Sequence, residues 1–357
     1  MERGALRMSG LASGGGVVLG KGILPELSKF PRQVNTNGGS SSRGRTQNFQ
    51  IRAVSTEPST RGLRARREQN VEGEFYVDRT CIDCDTCRWM APETFRRDGE
   101  QSAVYNQPST PESRLRSLQA LVSCPTGSIR TVTPAKDVVQ AQETFPLPIH
   151  DELPGVFHCG FHSEKSFAAT SYFIQRQDGN ILVDSPRYTE RLAKRLDQLG
   201  GVKYMFLTHK DDIADHKRWQ KRFDCERIIH TLEIVPGTED VEVKLEGTGP
   251  WNLGDDVELI FTPGHTRGHV CLFLKDRKVM FAGDHVSAST HYELEMTTDY
   301  NWFSVEKQVE SLEALIPFDF TWVLPGHGRR KSFKDVDEKN AAIRKILSKF
   351  RGSGRYN

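Results

Sequence analysis

Cys81, Cys84 and Cys87 are each separated by two residues, and Cys124 follows well downstream with Pro125 directly after it. Three thiolates on one tight loop plus a remote Cys-Pro can wrap a chain around a cuboidal iron–sulfur cluster. Loop N–H groups then face its sulfurs, and the proline turns the chain away. A tetrahedral zinc site is the competing use of four cysteines, although zinc sites usually take paired Cys-x₂-Cys units. A second set lies further along. His209, Asp211, Asp212, Asp215 and His216 crowd one stretch; His265 sits in Pro-Gly-His-Thr, Asp284 in Ala-Gly-Asp and His327 in Pro-Gly-His-Gly. Each follows an apolar run that reads as a strand, where loops present ligands from a rigid scaffold. Imidazole and carboxylate from four such loops suit zinc, iron or manganese.

The elements that must position these residues are legible in outline. Thr170–Ile174 and Asn180–Asp184 alternate as a hairpin. A helix is expected from Thr189 to Leu199, then a buried strand from Lys203 to Leu207 that delivers His209 at its end. Asp184, after its own strand, is placed to brace that first ligand loop. His269 and His285 flank ligand loops as candidate supporting partners. His158, Cys159 and His162 read as packing or surface residues, His230 as structural, and Cys225 and Cys271 as buried thiols. Trp89 and Met90 are expected to pack beside the cluster.

The whole chain has 357 residues, 27% of them charged and 36% hydrophobic, which suits two folded domains plus a tail. Seven cysteines, an odd number, exclude a scaffold of disulfides alone. The formal net charge of +2 argues against nucleic-acid binding by bulk charge, and no apolar run is long enough to span a membrane. The charge is uneven. Residues 1–56 hold eight basic side chains against two acidic ones, with Gly14–Gly16 and Ser40–Ser42 as low-complexity runs. Such a segment buries too little apolar surface to offset chain entropy. A basic, serine-rich, acid-poor N-terminus reads as a disordered organelle transit peptide. Ile51-Arg52-Ala53-Val54 resembles a stromal processing site, so the chloroplast stroma is expected, with the mitochondrial matrix as the alternative. Residues 57–72 read as a linker, 73–135 as the cysteine domain, 136–150 as a second linker, 151–350 as the histidine and aspartate domain, and 351–357 as a tail.

The first domain resembles single-cluster bacterial-type ferredoxins through Tyr76-Val77-Asp78, Ala91-Pro92-Glu93-Thr94-Phe95 and Cys124-Pro125-Thr126-Gly127-Ser128-Ile129. That resemblance implies one 4Fe–4S cluster on Cys81, Cys84, Cys87 and Cys124. The second resembles the metallo-β-lactamase superfamily, through the loops of His265, Asp284 and His327. The fold class implied is therefore α+β, a small ferredoxin-like domain followed by an αββα sandwich with a mono- or dinuclear metal site at its edge. The usual first motif, His-x-His-x-Asp-His, is altered here: it is two residues longer and has Asp211 where the second histidine belongs.

By that resemblance, site one would use His209, His265 and Asp284, with Asp211 or Asp212 as a further ligand. Site two would use Asp215, His216, His327 and a bridging Asp284, and Asp215 and Asp284 would also serve catalysis. Trading an imidazole for a carboxylate hardens the site and favours iron or manganese over zinc. Flavodiiron proteins carry a carboxylate at that position, and persulfide dioxygenases use the equivalents of His209, His265 and Asp284 for one iron. The implied activities are redox chemistry supplied with electrons by the cluster, or zinc-dependent hydrolysis of a thioester or ester with a structural or sensing cluster. A non-catalytic assembly role is the third. The expected partners are a small-molecule substrate, a thioester or a persulfide among the candidates, an electron donor and a second copy in a homodimer.

Overall fold

The computed structural model describes Gly62 and residues 64–352. The expected transit segment 1–56, its processing site and residues 353–357 lie outside them. The described residues form one compact unit. No helix among the described residues is long and apolar enough to cross a membrane.

The cysteine domain runs β1 (Phe75–Val77), α1 (Thr86–Met90), β2 (Phe95–Asp98), β3 (Gln101–Val104), α2 (Pro111–Ser123) and β4 (Ile129–Thr131). β1 pairs antiparallel with β4, and β2 with β3. The sequence starts α2 firmly: Thr110 and Ser113 form a reciprocal capping box and Pro111 follows the cap. Phe75, Val77, Phe95, Val104, Leu118 and Ile129 form the core, with the buried Cys87 and Cys124 among them.

Both expected linkers are corrected. Residues 64–71 are not a solvated run but an edge of the cysteine domain. The Arg67 N–H donates to Val77 O at 3.1 Å, Val71 N–H to Val104 O at 2.9 Å, and the buried Arg67 guanidinium to the carbonyls of Ser102 and Asp98. Within 136–150, α3 (Val138–Glu143) packs on α2, Phe145 is fully buried, and β5 (Leu147–Pro148) joins the sandwich.

The sandwich has two sheets. The first contains β6 (Val156–His158), β7 (Tyr172–Ile174), β8 (Ile181–Val183), β9 (Tyr204–Phe206), β10 (Glu226–His230) and β11 (Val243–Leu245), in the order β11-β10-β9-β8-β7-β6-β5. β7 and β8 are the expected hairpin, and β8 to β11 run parallel. The second contains β12 (Trp251–Asn252), β13 (Val257–Phe261), β14 (Val270–Leu274) and β15 (Val279–Gly283). A ribbon of β16 (Ser287–Ala288) and β17 (Leu294–Glu295) separates these in sequence from β18 (Trp322–Pro325) and β19 (Lys331–Ser332), which complete the sheet.

Every residue of β7, β8, β14 and β15 is buried, because both faces of each sheet are covered. Tyr172 meets Phe281 edge-on across the inner faces, with ring centroids 5.4 Å apart. On one outer face lie α4 (Glu190–Gln198), started by Thr189 as N-cap, and α5 (His216–Phe223). On the other lie α6 (Val305–Ala314) and α7 (Val336–Gly352).

Trp219 anchors the first outer layer. It is fully buried, packs 4.7 Å from the Tyr188 ring and donates its indole N–H to Pro186 O at 2.8 Å. Trp219→Ala is expected to lower unfolding free energy by about 3–5 kcal/mol, read by chemical denaturation. A loss below about 1 kcal/mol would contradict this packing.

Candidate metal centre and cluster site

The strand ends gather the ligand residues as the loops require. His209 follows β9, His265 lies between β13 and β14, Asp284 follows β15 and His327 follows β18. Ligand atoms of His209, His265 and Asp284 lie within 4.8 Å of one another, and so do those of Asp212, Asp284 and His327. The two groups share Asp284. Asp211 borders the first, with its Oδ2 3.8 Å from His209 Nε2.

These atoms are aimed at something outside the protein. His209 Nε2, His265 Nε2, both Asp212 oxygens and Asp211 Oδ2 are buried without a hydrogen-bond partner, an arrangement that is costly unless a ligand satisfies it. A Cβ at Gly326 would lie 2.8 Å from Asp212 Oδ2 and 2.9 Å from Asp284 Oδ1, so glycine keeps that space open. The donor set of three imidazoles and three carboxylates fits one or two divalent metal ions.

Supporting residues hold this geometry. Asp184 accepts from the Thr208 N–H at 2.9 Å and from its hydroxyl, bracing the loop of His209. Glu233 accepts from Lys210 N–H and Gly268 N–H, tying the first ligand loop to the His265 loop. His269 Nε2 accepts from the Asp284 N–H at 3.2 Å. His285 is buried with neither ring nitrogen bonded to protein. His230 serves locally, with its ring 3.0 Å from Gly247 O.

The expected site-two ligands Asp215 and His216 are corrected. Ile213 packs against the core of the first sheet, so the longer loop turns there and carries the next residues onto the start of α5. Asp215 accepts from Lys165 Nζ at 3.0 Å and from Tyr188 N–H at 2.9 Å. The His216 ring nitrogen Nδ1 lies 3.1 Å from the Arg227 guanidinium. Neither joins the ligand groups, and Asp212 occupies the carboxylate position beside His327 instead. In sequence, Asp215-His216 matches the family pattern better than Asp212 does, but in the fold both are engaged by Lys165, Tyr188 and Arg227.

Electrostatics agree with a site built for cations. Burial pushes His209 down to about 3, so its imidazole is neutral and able to ligate. Burial pushes the Asp212 carboxyl well above the usual range, helped by Asp284. Burial alone would raise Asp284 and lower His327, but their mutual attraction outweighs it. Asp284 falls far below the carboxylate range, and His327, drawn also by Asp212, rises to about 10.

The four cluster cysteines line one pocket with Val77, Ile82, Thr86, Ser102, Thr126, Ser128 and Ile129. Ser128 N–H donates to Cys124 Sγ at 3.3 Å. Burial raises the Cys84 thiol to about 11 and Cys87 well above its ordinary value, so both need a bound cation to ionise. A cluster's iron supplies that charge.

The two sites are neighbours. Asp85, between cluster cysteines, accepts from Arg329 Nε at 2.8 Å and Nη2 at 3.3 Å, and Arg329 lies two residues beyond His327. Arg330 stacks over Trp89 at 4.7 Å, and Arg187 donates to Val122 O at 3.0 Å. His158 and His162, expected as packing or surface residues, are buried at this junction among polar partners. Trp89 and Thr86 of the cluster domain contribute to their surroundings, which their local sequence does not signal.

Residues 77–131 match the family described as the 4Fe-4S single cluster domain of Ferredoxin I. Residues 166–327 match the metallo-beta-lactamase superfamily. The chain is similar to a probable metallo-hydrolase, YybB, of Bacillus subtilis (strain 168), 24% identical over 211 residues, covering 53% of this chain and 94% of the relative. It is also similar to a hydroxyacylglutathione hydrolase of Rhizobium etli, 31% identical over 107 residues, covering 29% of this chain and 41% of that enzyme. Among solved structures, a metallo-beta-lactamase family protein from Thermus thermophilus is 17% identical with a TM-score of 0.42, covering 56% of this chain and 80% of that one.

Asp212→Asn is expected to weaken metal loading beside His327, whereas Asp215→Asn leaves the metal content unchanged; elemental analysis per chain separates them. Metal binding beside His327 should release a proton at pH 7, because His327 holds one in the metal-free protein. Affinity should therefore fall as pH falls, which calorimetry in buffers of different ionisation enthalpy would detect; no proton release would contradict it.

Proposed function

We propose, from the premise that this chain joins a single-cluster 4Fe–4S ferredoxin domain to a domain of the metallo-beta-lactamase superfamily, that it is an iron–sulfur metalloenzyme whose cluster serves the metal pocket with electrons. The observation that carries this reading is the direct docking of the cluster loop on the His327 loop through Asp85 and Arg329. A structural cluster needs no contact with a catalytic loop, whereas an electron relay needs a short, rigid one.

His209 and His265 with Asp284 would hold one metal ion, and Asp212, Asp284 and His327 a second, with Asp211 available to the first. When bound, iron in such an oxygen-rich set would supply redox chemistry toward a small-molecule substrate. The chain's own residues fix that pocket: His269 orients Asp284 through its backbone, Asp184 fixes the His209 loop, and Gly326 keeps the floor clear. The exposed side chains of Phe167 and Trp302 mark its rim. The Phe167 carbonyl meets His327 Nε2 at 3.2 Å, and the Trp302 N–H donates to His265 O at 2.8 Å. A substrate with an apolar portion suits that rim, and a persulfide or thioester of a small thiol is the class we propose. An external electron donor, a homodimer and an organelle location, the last from the basic N-terminal segment, complete the proposal.

A second reading has its own support. The similarity to a hydroxyacylglutathione hydrolase, over 41% of that enzyme, favours thioester hydrolysis in the same pocket. A metal-bound water that ionises near neutral pH is the chemistry zinc would supply there.

Anaerobic purification followed by metal analysis distinguishes them. The redox reading predicts iron in excess of the four of one cluster, together with a second paramagnetic signal that responds to a persulfide or O₂. Zinc alone beside a four-iron cluster, with glutathione-thioester turnover that needs no reductant and is lost in His265→Ala, would replace it with the hydrolytic reading.

A further inference from the structure

The junction between the domains contains a chain of buried polar groups that the metal pocket does not use. Thr86 Oγ1 lies 3.4 Å from Cys84 Sγ and 3.2 Å from His162 Nδ1. His162 Nε2 in turn lies 2.8 Å from His158 Nε2. Thr86, His162 and His158 are each at most 2% exposed. Thr86 belongs to the cluster domain; both histidines belong to the sandwich.

Directions along this chain follow from donor counting. A cysteine sulfur bound to iron is a thiolate and can only accept. The Thr86 hydroxyl has one proton, so to bond that sulfur it must donate to it and accept from His162. His162 then carries its proton on Nδ1, which leaves Nε2 with a lone pair. His158 must therefore donate from its own Nε2. His162 can play its part only while neutral, since its Nε2 must accept, and a neutral His158 supplies the donor it needs. Burial keeps them so, pushing His162 down to about 3 and His158 well below its ordinary value, with the Arg330 cation adding to both.

We infer that His162 is a positioning residue for the cluster: from the sandwich domain, it orients the Thr86 hydroxyl to donate a hydrogen bond to the Cys84 sulfur and so raises the cluster's reduction potential. A donor at a cluster sulfur stabilises the reduced state more, because that state carries one more electron's charge on the same atoms. No proton needs to move for this effect, and the only change of state is the one-electron reduction of the cluster by an external reductant. The inference goes beyond the proposed function. It requires the cluster but holds whether the pocket works by redox chemistry or hydrolysis.

The test is a potentiometric titration of the full chain with its cluster reconstituted under argon, followed by EPR of the reduced cluster. Thr86→Val, which keeps the side-chain shape and removes the hydroxyl, should lower the equilibrium constant for reduction about tenfold, or about 59 mV for one electron. Thr86→Ser should restore it. His162→Leu should lower the potential in the same direction, and His162→Asn, whose amide can replace the Nδ1 donor, should recover most of it. In the Thr86→Val background, His162→Leu should add nothing further, because the two act through one hydrogen bond. An unchanged potential in Thr86→Val overturns the inference, and so does an undiminished effect of His162→Leu in that background. If His162→Leu fails to assemble a cluster, the comparison of Thr86→Val with Thr86→Ser and of wild type with His162→Asn decides alone. A potential that falls in His162→Asn as far as in Thr86→Val would also overturn it.

Discussion

Asp85 accepts two hydrogen bonds from Arg329, and this one charged contact joins the cysteine loop to the loop of a metal-site histidine. Both side chains are mostly shielded, at 15% and 13% exposed, so water competes weakly for them. Arg88 reaches the same carboxylate from within α1. Asp85 is thus held from both domains at once. Ion pairs of this kind are weak evidence for stability, but they fix register well. Here the register sets cluster ligands on one side and His327 on the other. Arg330 on Trp89 and His162 on Thr86 seat the same surface through packing and hydrogen bonding.

The metal pocket shows how a sandwich of rigid sheets and short loops tolerates a changed ligand set. Its first ligand loop is two residues longer than the family pattern and lacks its second histidine. Compensation comes from consecutive carboxylates, Asp211 toward the first ligand group and Asp212 into the second. A pocket built with three carboxylates is harder and more anionic than one built with histidines, which is the ground on which iron or manganese is proposed over zinc. The same carboxylates crowd around His327 and hold a proton on it in the metal-free protein, so metal binding and pH are coupled there.

Much of this was legible in the amino-acid sequence, for identifiable reasons. The cysteine spacing is a local pattern that only a few chemistries require. His265, Asp284 and His327 each sit beside Gly or Pro turns after apolar strands. The hairpin of β7 and β8 and the Thr189 cap of α4 are set by neighbours in sequence. What was not legible depends on distant partners. Asp215-His216 imitates a ligand pair, but the fold places them at the start of α5, against Lys165, Tyr188 and Arg227. Arg67 looks solvated until Ser102 and Asp98 offer it carbonyls. His158 and His162 read as packing or surface residues, and only the fold brings Trp89 and Thr86 of the cluster helix against them.

The proposed function requires communication between the two sites, and the most direct measurement is the magnetic interaction between them. EPR relaxation of the reduced cluster should be compared in protein with an iron-loaded pocket and in protein whose pocket holds zinc. The expected result is faster relaxation, or a split signal, with paramagnetic iron in the pocket, and loss of that change when Arg329→Ala loosens the junction. A cluster signal identical in the iron-loaded and zinc-loaded proteins would contradict it.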